Sequence, residues 1–229
     1  MELQNKTDIE WYQFDLPTTP LLKATLDKVT VNYLWRCIKD AKEKNINSNK
    51  VLAGNIGLSL QLEDKNEYFY NKVLKNVCRQ YIEENNKVHC FRNNIASVNI
   101  TGMCLQEFWV NFQKKYEFNP IHDHTGAISF VIWMKIPTES QEQHDLPFSK
   151  NSNLPSASDF QFHYSDITGA HRGYNIPMNP SLNGTMIVFP SNMSHQVYPF
   201  YECDDERVSI SGNVYYLSLI HICRCRRRG

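Results

Sequence analysis

The chain has 229 residues, of which 41% are hydrophobic and 12% aromatic, with 24 basic and 24 acidic residues. That size and apolar content suit a single globular domain, alone or with a helical extension. No apolar run approaches the roughly 18 residues needed to cross a bilayer, so no membrane partner is expected.

The N-terminus, MELQNKTDIEWYQF, carries charges and amides where a secretory signal needs a basic start and an apolar stretch. A cytoplasmic protein is expected. In VTVNYLWRCIKDAKEKN, Val31, Leu34, Ile38 and Ala41 recur at three- and four-residue spacing, which predicts an amphipathic helix from Val29 to Asn45. VLAGNIGLSLQL reads as a loop or short strand whose two glycines suit turns or a close backbone approach. A second helix is predicted from near Asp64 to Asn85 and Asn86, with Phe69, Val73, Val77 and Tyr81 along one face. Together, residues 1–95 read as a helical extension that packs on a β core.

After Ile95 the period shifts towards two. SVNITGM, LQEFWVNFQK, AISFVIWMKIP, DFQFHYSD, GTMIVFP, HQVYPFY and RVSISGNVYY are short, rich in β-branched and aromatic residues, and divided by Gly, Pro, Asn and Asp. They predict an antiparallel core over 96–216, which many short strands of this kind would close into a jelly roll. Residues 138–158 are polar, carry Pro147 and Pro155, and read as a long loop, either a lid or a solvated insertion. The seven cysteines show neither CxxC pairs nor disulfide spacing, which leaves them as reduced thiols.

The last thirteen residues, LSLIHICRCRRRG, break from the Asn- and Lys-rich style before them and resemble a translated sequencing adapter. Residues 217–229 are therefore read as an artefact, against the alternatives of a nucleic-acid-binding arm or a Cys-x-Cys metal site. Setting aside Arg224, Arg226, Arg227 and Arg228 leaves 20 basic against 24 acidic residues. Charge then gives no support for nucleic acid as a partner.

Chemistry concentrates in the β half. His122 and His124 lie in NPIHDHTG, and in an extended segment residues two apart project from one face, with Asp123 on the other. Such a pair does not by itself decide for a metal. His195 follows later, in GTMIVFPSNMSHQVYPF, where a sheet closing on itself brings it opposite the first two. Three ligands so arranged would occupy one side of an iron and leave positions open for substrate and O2. Arg207 and Ser209 share a strand face in ERVSISGNVYY, where a guanidinium fork and a hydroxyl can bind a carboxylate.

LAGNI, FWVNFQKKYEFNPIHDHTGAISFVIWMKIP, FQFHYSDITG and GTMIVFPSNMSHQVYPF followed by ERVSISGNV resemble the 2-oxoglutarate and Fe(II)-dependent oxygenases, specifically oxygenases found in marine phages and bacteria. The resemblance spans roughly 52–216. It implies a double-stranded β-helix, Fe(II) held by His122, His124 and His195, and 2-oxoglutarate chelating the iron while its far carboxylate meets Arg207 and Ser209. It also implies O2-dependent hydroxylation of a substrate with release of succinate and CO2, in the host cytoplasm if the chain is viral. Trp133 falls where related enzymes often place a Tyr beside the cosubstrate, and Asn111 lies on the strand before the His pair; for both the alternative is plain packing.

Many members of the superfamily carry Asp or Glu at the position of His124. A carrier-dependent halogenase, suggested by His124-Thr125-Gly126, would leave His122 unexplained. A three-histidine cupin dioxygenase without 2-oxoglutarate fits the Gly, Pro and His rhythm of 184–195. It lacks the glutamate expected after the His pair and gives Arg207 no role. A jelly-roll scaffold that only binds remains the alternative from outside enzymology. His89, His144, His163 and His171 have no matching partners in the sequence and read as structural or surface residues. The substrate, and whether it is free or peptidyl, is not encoded in any motif.

Overall fold

Asp27 begins the first helix by accepting a hydrogen bond from the Thr30 amide at 2.7 Å, and Asn45 ends it in the left-handed region at φ 51°. In this computed structural model, which describes residues 21–87 and 100–218, helix α1 spans Lys28–Lys44. It buries Leu34, Cys37, Ile38 and Ala41, close to the stripe its sequence predicts.

The second helix departs from its prediction in phase. Both Asp64 carboxylate oxygens accept amides, from Phe69 and Tyr70 at 2.8 Å each, and a π turn, Tyr70–Leu74, leads into α2, Lys75–Lys87. An i to i+5 turn inserts one residue into the helical count. The inner face is therefore Phe69, Tyr70, Leu74, Cys78 and Tyr81, while Val73 and Val77 are only partly buried.

The strands are β1 (Leu22–Thr25), β2 (Leu58–Gln61), β3 (Ile100–Gln113), β4 (Asn119–His122), β5 (Ile128–Lys135), β6 (Phe160–Ser165), β7 (His171–Ile176), β8 (Thr185–Pro190), β9 (His195–Val197) and β10 (Arg207–Ser218). They form two sheets, six strands in the order β1-β8-β5-β10-β3-β2 and four in the order β4-β9-β6-β7, with every pairing between strands antiparallel. This is the double-stranded β-helix, or jelly roll. The segments SVNITGM and LQEFWVNFQK belong to a single long strand from Ile100 onward, and β1 and β7 are strands without a sequence prediction. Two strands from before residue 96 complete the edges of the large sheet, β1 on β8 and β2 on β3.

Strand alternation divides the large sheet into two faces. Phe108, Val110 and Phe112 of β3, Phe130 and Ile132 of β5, and Val208 and Ile210 of β10 pack against α1 and α2. The opposite face sends Val131, Trp133, Ile187 and Phe189 towards Phe160 and Phe162 of the small sheet.

The segment 138–158 is ordered rather than a solvated insertion. It contains the short helix α3, Ser140–His144, and Gln143 exchanges hydrogen bonds with the backbone of Tyr201 at 3.0 and 2.8 Å. Leu217 and Ser218 continue β10 opposite Gly102 and Ile100, while the rest of the tail lies outside the described residues. The N-terminal 20 residues, His89 and Cys90 also lie outside them. No described helix is long and apolar enough to cross a membrane.

The phase of the second helix is open to a direct check. Leu74→Ala should lower the unfolding free energy by about 2–5 kcal/mol, with Val73→Ala costing well under that, by urea titration. A larger loss at Val73 would return the helix to the phase its sequence suggests.

Candidate metal and cosubstrate site

His122 and His195 are direct register partners across the β4/β9 pair. His124 lies just past the end of β4, where its backbone N–H donates to the Ser191 carbonyl at 2.8 Å and ties it to the turn after β8. The three imidazoles converge, with one ligand atom from each lying within 4.8 Å of the others and ring centroids 4.3–5.1 Å apart. His195 is buried and stacks on Phe160 at 5.4 Å and 13°, while the Trp109 ring meets His124 edge-on at 5.7 Å.

The hydrogen bonds set the tautomers. Nδ1 of His122 faces the Pro120 carbonyl at 2.8 Å and Nδ1 of His195 faces the Met193 carbonyl at 2.9 Å. A carbonyl only accepts, so both Nδ1 atoms carry the proton and both Nε2 atoms keep a lone pair for a metal. Burial lowers His122, pushes His124 down to about 4 and His195 down to about 3, with the neighbouring His122 adding to the last two. The cluster is therefore neutral near pH 7, which is the state a ligand set requires.

Arg207 is fully buried at the start of β10. Its Nη2 donates to the Ser158 carbonyl at 2.8 Å and to the Ser158 hydroxyl, its Nη1 reaches Gln113 Oε1 at 3.4 Å, and its guanidinium lies 5.2 Å from the Phe200 ring. Burial draws it down to about 10, against the charge of Asp159, so it remains a cation. All its hydrogen-bond partners are neutral oxygens, and its buried Nε has none. A buried cation left in that state is costly, and an incoming anion relieves the cost.

One cavity of about 150 Å³ joins the two ends. Its lining includes all seven residues singled out in the sequence: His122, His124, His195, Arg207, Ser209, Asn111 and Trp133. Asn111 accepts a hydrogen bond from Ser59 at 2.7 Å, and Trp133 is buried with Phe160 edge-on at 5.9 Å. Asp123 is exposed and edges the cavity without joining the three-residue ligand cluster.

Gln113 and Ser158 escaped the sequence reading. Gln113 was within reach, since it lies two residues beyond Asn111 on β3 and pairs in register with Arg207. Ser158 gave no signal, because its role depends on a left-handed conformation, φ 76°, at the end of a long loop. Among the remaining histidines, His144 pairs with buried Asp159 at 3.0 Å, and His163 stacks on His171 at 5.5 Å.

Residues 107–213 match a family model described as "Putative 2OG-Fe(II) oxygenase". A search of curated proteins gave no match. Among solved structures, a prolyl hydroxylase from Trichoplax adhaerens, in complex with a hypoxia inducible factor oxygen degradation domain peptide fragment, superimposes with a TM-score of 0.53 at 12% identity, over 90% of this chain and 87% of that one. A Pseudomonas putida prolyl-4-hydroxylase gives 0.45 at 14% identity, over 88% and 94%. A 2OG-Fe(II) oxygenase family oxidoreductase from Burkholderia pseudomallei gives 0.42 at 15%, over 72% and 63%. At these identities the first of them supports the shared fold.

The depressed imidazoles make acid stability a measurable consequence. Folded values below the ordinary 6.5 mean that, as pH falls from about 6.5 to 4, the unfolded chain binds protons that the folded chain refuses. The metal-stripped protein should lose stability on acidification through that window, read as a falling urea midpoint. A His124→Gln/His195→Gln double variant should flatten the slope; an equally steep slope would assign it to other groups.

Proposed function

We propose that the protein is a 2-oxoglutarate-dependent dioxygenase that hydroxylates its substrate and releases succinate and CO2, as the match of residues 107–213 to a 2OG-Fe(II) oxygenase family model supports. The observation that carries this reading is the pairing, in one cavity, of three convergent neutral imidazoles with a buried guanidinium whose Nε lacks a partner. The donor set fits Fe(II), and the anion-deficient end fits the far carboxylate of a 2-oxo diacid. When bound, Fe(II) supplies the activation of O2, coupled to oxidative decarboxylation of the 2-oxo acid.

The protein's own work is positional. His122, His124 and His195 would hold the metal, with the Pro120 and Met193 carbonyls orienting two of the rings. Arg207 would anchor the cosubstrate carboxylate, while Ser158 and Gln113 fix the guanidinium plane. Ser209 and Asn111 offer hydrogen bonds from adjacent strands, being register partners across β10 and β3. Trp133, Phe160 and Phe189 supply apolar walls that keep bulk water from the reacting centre.

Anaerobic addition of 2-oxoglutarate to the Fe(II) protein should produce a visible charge-transfer band. Iron binding without the band would favour a three-histidine oxygenase that does not use 2-oxoglutarate, and failure to bind iron would favour a scaffold. Arg207→Ala should weaken 2-oxoglutarate binding about 10- to 100-fold while iron content stays near normal, because a charge-assisted contact is lost. Unchanged affinity would remove Arg207 from the cosubstrate site. His195→Ala should lose iron by metal analysis, and full retention would exclude it as a ligand.

A further inference from the structure

The wall of the metal cavity that carries His124 is shared with a second compartment of about 450 Å³, and Leu52, Trp109, Asp123 and His124 border both. The second compartment differs from the first in charge, since the first sets Arg207 against Asp123. Its described lining contains two carboxylates, Glu107 and Asp123, and neither Lys nor Arg. We propose that this compartment receives the substrate, and that the substrate presents an ammonium or guanidinium group to Glu107. The inference rests on the dioxygenase reading above and deepens it by assigning the charge class of the substrate.

Glu107, itself exposed, is held by a chain of hydrogen bonds whose inner members are buried. Its Oε2 accepts from Asn213 Nδ2; Asn213 Oδ1 accepts from Ser129 at 2.7 Å, and Ser129 reaches the Ser191 hydroxyl at 3.0 Å. Asn213, Ser129 and Ser191 are at most 2% exposed. With its oxygen committed to Ser129, the Asn213 amide has one orientation, and its N–H points at Glu107. The Ser191 carbonyl accepts the backbone N–H of His124. The same chain therefore fixes both the carboxylate on the compartment wall and the loop that brings His124 to the metal.

Trp109 adds a separate reason for a cation. Its ring is 93% withdrawn from solvent, borders both compartments and stands against His124. An indole in the lining of an acidic compartment adds a quadrupole that favours an alkylammonium or guanidinium. A volume of about 450 Å³ lies within the range of small-molecule sites, roughly 300–1,000 Å³, and also admits a single side chain. The difference serves the chemistry, since an anionic cosubstrate is drawn to Arg207, which lines only the first cavity, and turned away by Glu107, which lines only the second.

The test uses charge-deletion pairs on the Fe(II) and 2-oxoglutarate-loaded protein: lysine against Nε-acetyl-lysine, arginine against citrulline, and cadaverine against N-acetylcadaverine. Binding is read anaerobically as a shift of the charge-transfer band, and turnover as succinate release. In at least one pair the cation should act at about tenfold lower concentration than its neutral partner. Glu107→Gln, which can still accept from Asn213, should reduce that preference to within about threefold. A short lysyl peptide that outperforms free lysine would place the ammonium on a chain, and the reverse would make the substrate a small molecule. Preference for the neutral partners, discrimination unchanged by Glu107→Gln, or silence in every pair while the band forms would overturn the proposal. Failure of the band itself would instead overturn the dioxygenase reading.

Discussion

The site depends on one pairing, the antiparallel contact of β4 with β9 that sets His122 directly opposite His195. Cross-strand partners on one sheet face have Cβ atoms about 4.5–5.5 Å apart, close enough for two imidazoles to share a metal. A slip of one residue would turn either histidine to the other face and dissolve the cluster. The register is defended from the neighbouring strand, since β9 also pairs with β6, where Phe162 lies opposite His195 and Phe160 stacks on its ring. His124 needs no strand of its own, because the Ser191 carbonyl holds its backbone to the turn after β8.

The other end of the cavity shows how the fold tolerates a buried charge. Arg207 begins a central strand of the six-stranded sheet, where water cannot reach it. Neutral oxygens from Ser158 and Gln113 and the face of Phe200 satisfy part of its demand, and Asp159 adds a longer-range attraction. The remaining deficit, at Nε, is one that a carboxylate would relieve. Residues 138–158 contribute through their final residue, since the Ser158 carbonyl and hydroxyl orient the guanidinium. A segment that reads as loop thus orients a buried guanidinium.

A ligand set of three neutral imidazoles leaves a bound Fe(II) about one charge more positive than two imidazoles and a carboxylate would. Such a centre would attract an anionic cosubstrate more strongly, and the acidic second compartment lies beside His124, the residue that would make the difference. A bound metal and Arg207 put positive charge on the first cavity, and Glu107 puts negative charge on the compartment that adjoins it.

Along α1 and β10 the sequence by itself determined which side chains share a face. Two-residue alternation places Arg207 with Ser209, three- and four-residue spacing marks the buried stripe of α1, and the turn residues divide most of the strands. These are local properties of the backbone period, and they survive in any packing. What crosses between elements was decided by the tertiary structure: the π turn that rotates the second helix, β1 and β7 as edge strands, Ser158 on the guanidinium, and the Asn213 chain behind Glu107. The last three depend on register and closure between segments distant in the chain, for which a one-dimensional period contains no term, and the π turn breaks that period from within the helix.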